Sequence, residues 1–125
     1  MNVIDSSAWL SYFAGDGNSA FFAKGIEKLD ALIVPSITIT EVFKHILQHA
    51  DEESALITVA HMKLGQVIDL DSNLAISAAS YGVMYKLPLA DSIIYATAQK
   101  YNAMIWTQDT DFKKLANVKF RPKCK

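Results

Sequence analysis

Short apolar runs alternate along this chain with longer stretches in which apolar residues recur at helical spacing. Val3-Ile4, Ala31 to Val34, Gln66 to Leu70 and Ala103 to Thr107 are too short for helices and rich in Val and Ile, so they read as buried strands. Thr40 to Ala50 places Val42, Phe43, Ile46, Leu47 and Ala50 on one face and Glu41, Lys44, His45, Gln48 and His49 on the other, which is the helical period. Further helices are expected from Asp51 to about Leu64, from Leu74 to Lys86 and from Leu89 to Tyr101, the last two split by Leu87-Pro88, where proline suits a first turn. A short helix at Phe112 to Leu115 and a late strand near Val118 to Phe120 complete the pattern. Strands separated by helical crossovers predict a central, mainly parallel sheet covered on both faces, an α/β fold in three α/β/α layers.

Composition narrows the class. At 125 residues the chain fits one domain spanning 1–125, and with 51% hydrophobic and 20% charged residues it can bury enough apolar surface to exclude intrinsic disorder. Twelve Lys and Arg against thirteen Asp and Glu leave a net charge of -1, which excludes a protein that coats nucleic acid by bulk positive charge. The opening MNVIDSS does not resemble a secretory signal, and no apolar run approaches the roughly 18 residues of a membrane span, so a soluble, cytoplasmic protein is expected. The single cysteine, Cys124, reads as a reduced thiol.

Candidate chemistry lies in the acids. In open parallel sheets ligands bind beyond the carboxyl ends of the strands, beside the starts of the following helices. The first strand runs into Asp5 in VIDSSAWL, and a late strand leads to Asp109 in MIWTQDTDF. Glu41 is expected in the first turn of the helix after the strand ending near Val34, and Asp91 in the first turn of the helix that Pro88 opens. Each acid also has a purely structural reading. Thr38-Ile39-Thr40-Glu41 has capping-box spacing, Asp5 with Ser6 and Ser7 suits a helix cap, Asp91 answers a helix dipole, and Asp109 or Asp111 suits an Asx turn or cap.

If the four converge, electrostatics demands a partner, because two carboxylates about 4 Å apart repel by roughly 4 kcal/mol at an effective dielectric constant near 20. No Lys or Arg sits at these strand exits, which leaves raised pKa values or a hard divalent ion with oxygen ligands. Mg²⁺ or Mn²⁺ suits carboxylates that leave room for water, whereas Zn²⁺ normally recruits His or Cys. The reaction most economically served is phosphodiester hydrolysis, with Asp5, Asp91 and Asp109 holding metal and Glu41 orienting or deprotonating the attacking water.

The phrases VIDSSAWLSYF, ITEVFK and LPLADSIIYATAQKYNAMIWTQDTDF, in this order and over nearly the whole chain, resemble the PIN-domain ribonucleases and, within them, the VapC-like toxins of toxin–antitoxin modules. The resemblance places the family's acidic quartet on Asp5, Glu41, Asp91 and Asp109, its supporting hydroxyls on Ser6 and Thr107, and a supporting or capping acid on Asp111. It implies Mg²⁺- or Mn²⁺-dependent endonucleolytic cleavage of RNA, a homodimer, and inhibition by a cognate VapB-like antitoxin. A PIN nuclease of RNA processing outside such a module is the alternative. A receiver-like phosphoacceptor module wants paired acids after the first strand and a lysine after a late one, and neither is present; an idle PIN scaffold would show a broken quartet.

Three other features remain. His45 and His49 have zincin spacing, but Ile46 stands where that motif needs Glu, so a solvated face or contact with RNA phosphates is expected. Trp9, Leu10, Tyr12, Phe13, Phe21 and Phe22 read first as core, and part of the set as an antitoxin groove. Lys113, Lys114, Lys119, Arg121, Lys123 and Lys125 put six of the twelve basic residues at the end of the chain, either merely solvated or in contact with phosphate.

Overall fold

The computed structural model describes residues 1–124. Five strands, β1 (Asn2–Ile4), β2 (Leu32–Pro35), β3 (Gln66–Ile68), β4 (Met104–Thr107) and β5 (Val118–Phe120), form one sheet in the order β3-β2-β1-β4-β5 with every pairing parallel. Six helices connect them: α1 (Ser6–Ala14), α2 (Ser19–Ile26), α3 (Ser36–His49), α4 (Glu52–Met62), α5 (Ser72–Tyr85) and α6 (Leu89–Lys100). The strands read from the apolar runs are thus present, and the sheet is wholly rather than mainly parallel.

Alternation along each strand separates two cores. Ile4, Leu32, Val34 and Trp106 face α1 to α4, meeting Trp9, Phe22, Ile26, Val42 and Met62. Val3, Ile33 and Ile105 face the other way, against Ile94, Tyr95 and Ala98 of α6 and Phe112. Leu74 and Ala78 of α5 pack on Ile93 and Ala96 of α6, closing that layer as a helical hairpin. The three layers follow from this two-sided burial of short strands.

Two local expectations need correction. The Thr38–Glu41 spacing is not a capping box, because α3 starts directly at the end of β2 with Pro35 as its N-cap. Thr38 lies inside the first turn and donates to the Pro35 carbonyl at 2.7 Å, which carries Glu41 into the second turn. The short helix expected at Phe112 to Leu115 is instead a 3-10 turn at Thr110–Phe112, nucleated by the Asp109 carboxylate accepting from the Asp111 amide at 2.8 Å. Among the described residues no helix is long and apolar enough to cross a membrane.

Gly25 lets α2 approach the sheet. A Cβ there would stand 2.8 Å from Cε2 of Trp106, whose indole is buried and donates to Asn2 Oδ1 at 2.9 Å. Gly25→Ala is therefore expected to destabilise the fold by about 1–2 kcal/mol despite alanine's better helix propensity, since overpacking of a fixed side chain outweighs it. Urea denaturation measures the sign, and a stabilised variant contradicts this account.

The basic end of the chain is partly committed to packing. Lys119 Nζ lies 4.5 Å from the ring centre of Trp106, and the Arg121 guanidinium lies 4.4 Å from that of Phe21. Both contacts are cation–π in kind and hold residues 119–121 across the outer edge of the sheet. Lys113, Lys114 and Lys123 are exposed, and Lys125 falls outside the described residues.

Candidate active site

The sheet changes direction of growth between β1 and β4, because β2 and β3 extend one side and β5 the other. Such a switch point leaves a crevice at the carboxyl ends of the two strands. Here a cleft of about 280 Å³ is lined by Asp5, Ser6, Ser7, Leu10, Glu41, His45, Asp91, Ile94 and Asp109. All four acids picked out in the sequence are in this wall, together with Ser6. No Lys or Arg is among the lining residues.

Asp5 follows β1 immediately and is 3% exposed. Its Oδ1 accepts from the Ala8 amide at 3.0 Å, making it the N-cap of α1, and from Ser7 Oγ at 2.8 Å. Its Oδ2 accepts from Thr107 Oγ1 at 2.6 Å. Capping and membership of the acidic cleft therefore coexist, as expected where a strand exit is also a helix start. Burial pushes the Asp5 carboxyl up to about 6; its hydrogen bonds from Thr107, Ala8 and Ser7 pull the other way, and the Asp109 charge adds to the rise.

Asp91 stands in the first turn of α6, two residues beyond the start Leu89 that follows the N-cap Pro88. It is half-buried, and its carboxyl is raised to about 8, first by desolvation, then by the charge of Asp109, by a hydrogen bond with Asp111 that only a protonated carboxyl can make, and by the charges of Asp111 and Asp5. Glu41, one turn deeper than expected, accepts a 2.5 Å hydrogen bond from Ser6 Oγ, which ties α3 to the start of α1.

The tightest acidic grouping among the described residues is Asp91, Asp109 and Asp111, each offering one oxygen within 4.8 Å of the others. Asp111, read from sequence as a support or cap, is thus as close to Asp91 and Asp109 as a ligand set requires, while Asp5 is outside that grouping and held by two hydroxyls and an amide. At such a spacing two full charges repel by about 3 kcal/mol at an effective dielectric constant near 20. Crowded oxygens, a raised pKa and no Lys or Arg in the wall form a donor set that fits a hard divalent ion keeping part of its water shell.

His45 was missed as a cleft residue. It stands one turn after Glu41 on α3, so the i, i+4 relation to an acid already singled out was the available signal. It is exposed, and its ring stacks on that of His49 at 4.2 Å, while His49 Nδ1 lies 2.8 Å from the His45 carbonyl. The N-terminal aromatics divide: Trp9 and Phe22 are fully buried, and Leu10, Tyr12, Phe13 and Phe21 pack partly buried against them. On the outer side Trp9 and Tyr12 join Ile26, Glu27, Leu29, His61 and Leu64 around a groove of about 200 Å³. Trp9 Nε1 is buried there without a hydrogen-bond partner among the described residues.

A sequence comparison with curated proteins finds no match. Solved structures share the fold over almost the full chain. A toxin–antitoxin complex from Klebsiella pneumoniae superposes with a TM-score of 0.79 at 22% identity, covering 95% of this chain and 96% of that one. VapC20 from Mycobacterium tuberculosis, a Sarcin-Ricin loop cleaving toxin, gives 0.79 at 17% identity, covering 98% and 100%. DNA-bound VapBC from Salmonella typhimurium gives 0.74 at 14% identity, covering 98% of each chain. The family model for the PIN domain matches residues 3–118, a span that contains all five acids of the cleft and its rim, and the chain belongs to the PIN domain family.

Proposed function

We propose that this chain is a single PIN domain acting as a divalent-metal-dependent endoribonuclease, the toxin of a toxin–antitoxin pair. The observation that carries the reading is the cleft at the β1/β4 switch point, where Asp5, Glu41, Asp91 and Asp109 meet with no Lys or Arg in the wall to neutralise them. Asp91 and Asp109, with Asp5 or Asp111, are the residues that hold Mg²⁺ or Mn²⁺. The ion, when bound, supplies charge neutralisation and polarises a phosphoryl oxygen. Glu41, held by Ser6, is placed to orient or deprotonate the attacking water, and Ser7 and Thr107 keep the Asp5 carboxylate aimed. His45 stands in the same wall and is placed to touch a substrate phosphate.

Two apolar surfaces support the partner readings. The groove at Trp9, Tyr12, Ile26, Leu29 and Leu64 is mostly apolar and suits an apolar segment of an antitoxin. Val83 and Met84 lie seven and eight residues after Ile76 on α5, and all three are exposed, as is Leu89 at the start of α6; the α5 stripe is suited to a second copy of the chain.

The purified protein is expected to cut single-stranded RNA internally with Mg²⁺ or Mn²⁺, and EDTA to stop the reaction until the ion is returned. Cleavage that persists in EDTA overturns the reading.

A further inference from the structure

Two consecutive backbone amides prepare the Asp5 carboxylate. The Gln108 amide donates to Ser7 Oγ at 3.2 Å, and the Asp109 amide donates to Thr107 Oγ1 at 2.8 Å. A hydroxyl has a single proton, so one that accepts from an amide has that proton free for another acceptor. Both hydroxyls direct it at Asp5, Ser7 to Oδ1 at 2.8 Å and Thr107 to Oδ2 at 2.6 Å. Each carboxylate oxygen of Asp5 thus faces a donor whose direction is set by the backbone at 108–109.

The Gln108 side chain extends this arrangement away from the cleft. It is 8% exposed, its Nε2 donates to the Ser7 carbonyl at 3.1 Å, and its Oε1 accepts from Asn18 Nδ2 at 2.7 Å. Asn18, 6% exposed, uses the second Nδ2 proton on the Pro122 carbonyl at 2.7 Å. Its own amide is held by Asp16 Oδ1 at 2.8 Å, and that oxygen also accepts from Ser11 Oγ at 2.6 Å. A continuous hydrogen-bonded path therefore runs from the α1–α2 connection through buried Asn18 and Gln108 and half-buried Ser7 to Asp5, with the Pro122 segment fastened beside it. Neither Gln108 nor Asn18 lines the acidic cleft.

We propose that Gln108 and Asn18 are positioning residues that hold Ser7 against Asp5 and so fix the Asp5 carboxylate relative to Asp109 for metal binding. The inference rests on the metal-dependent reading of the cleft. Asp5 and Asp109 leave different strands and repel one another, so their loops spread unless something other than the ion restrains them. With the restraint in place the carboxylates are preorganised; without it, ordering the loops is subtracted from metal affinity. Partners that orient metal ligands typically contribute 10- to 100-fold in affinity or activity, which sets the expected effect.

The test uses Gln108→Met, which conserves shape while removing the side-chain donor to the Ser7 carbonyl and the acceptor of one Asn18 Nδ2 proton, together with Ser7→Ala and the double variant. Mn²⁺ binding is measured by calorimetry on the full chain well below each variant's Tm, beside kcat and KM on RNA. Gln108→Met is expected to bind Mn²⁺ about tenfold more weakly and to lose kcat with KM for RNA unchanged. The double variant is expected to bind no more weakly than Ser7→Ala alone, because Gln108 acts through Ser7. Unchanged Mn²⁺ affinity with only a lowered Tm makes the network a packing feature and overturns the proposal. If Gln108→Met does not fold, Asn18→Asp, which turns a donor into an acceptor facing Gln108 Oε1, is read by the same two criteria. A parent protein that binds no Mn²⁺ overturns the metal reading itself, an outcome distinct from tight binding by both parent and variant.

Discussion

Asp91→Asn is expected to reduce metal-dependent RNA cleavage by more than about 100-fold while making the metal-free protein more stable at pH 8.5. The first effect follows from the position of Asp91 in the closest carboxylate grouping, since even residues that only support metal ligands contribute up to about 100-fold. The second follows from linkage. The folded protein raises the Asp91 pKa to about 8, far above the unfolded value near 4, so between these values the folded state retains a proton that the unfolded state releases. Its contribution to stability is fully present below about pH 4 and is lost as pH rises through about 8. An amide does not titrate and carries no charge toward Asp109, Asp111 or Asp5. Solvent screening of a half-buried group brings the expected gain at pH 8.5 down to about 1–2 kcal/mol, several degrees in Tm. Calorimetry in EDTA at pH 5 and pH 8.5 checks it: the parent's Tm falls more between the two than the variant's. Equal losses remove the strain argument. Asp5→Asn is expected to differ, because its amide nitrogen would face the Thr107 hydroxyl, which already accepts from the Asp109 amide and has its proton aimed at Asp5. Cleavage is lost there without the gain in stability.

The contrast between these two acids marks what local sequence carries. Asp5 and Asp109 were legible because each follows an apolar run too short for a helix, and a strand exit beside a helix start is where a parallel sheet places ligands. Asp91 was legible from Pro88. Glu41 is legible at its place in the chain, and its alternative reading as a capping-box acid fails, since that pattern presumes a loop before the helix and here β2 passes into α3 at Pro35 without one. The Asn18–Gln108 bond joins residues 90 positions apart and has no periodic or motif signature at either end. Two amides in polar stretches read as surface until the fold brings them together. At the basic end the charge is legible, but not that Lys119 and Arg121 lie on aromatic rings from β4 and α2. The net charge of -1 excludes binding by bulk positive charge but hides the local pattern, because it sums an acidic cleft with a basic edge.

Mn²⁺ affinity is expected to fall about 100-fold between pH 8 and pH 6 and more steeply below. An ion that binds carboxylates must displace their protons, so each proton released makes the apparent affinity change tenfold per pH unit. In the metal-free protein Asp91 is raised to about 8 and Asp5 to about 6, the first mainly by burial and the neighbouring acids, the second mainly by burial. Between these values one proton leaves per ion bound, and below about 6 a second follows if Asp5 joins the ligand set. These are steps of the coupled cluster rather than properties of isolated residues, so the proton count is the sharper observable. Calorimetric titration at each pH in buffers of different ionisation enthalpy gives that count: close to one at pH 7, approaching two near pH 5. Asp91→Asn is expected to remove the slope between pH 6 and pH 8. A count that stays near one at pH 5 assigns the ion to Asp91, Asp109 and Asp111 and leaves Asp5 as a hydrogen-bonded wall of the cleft. A count of zero from pH 5 to pH 8 means that the ion does not bind at these carboxylates.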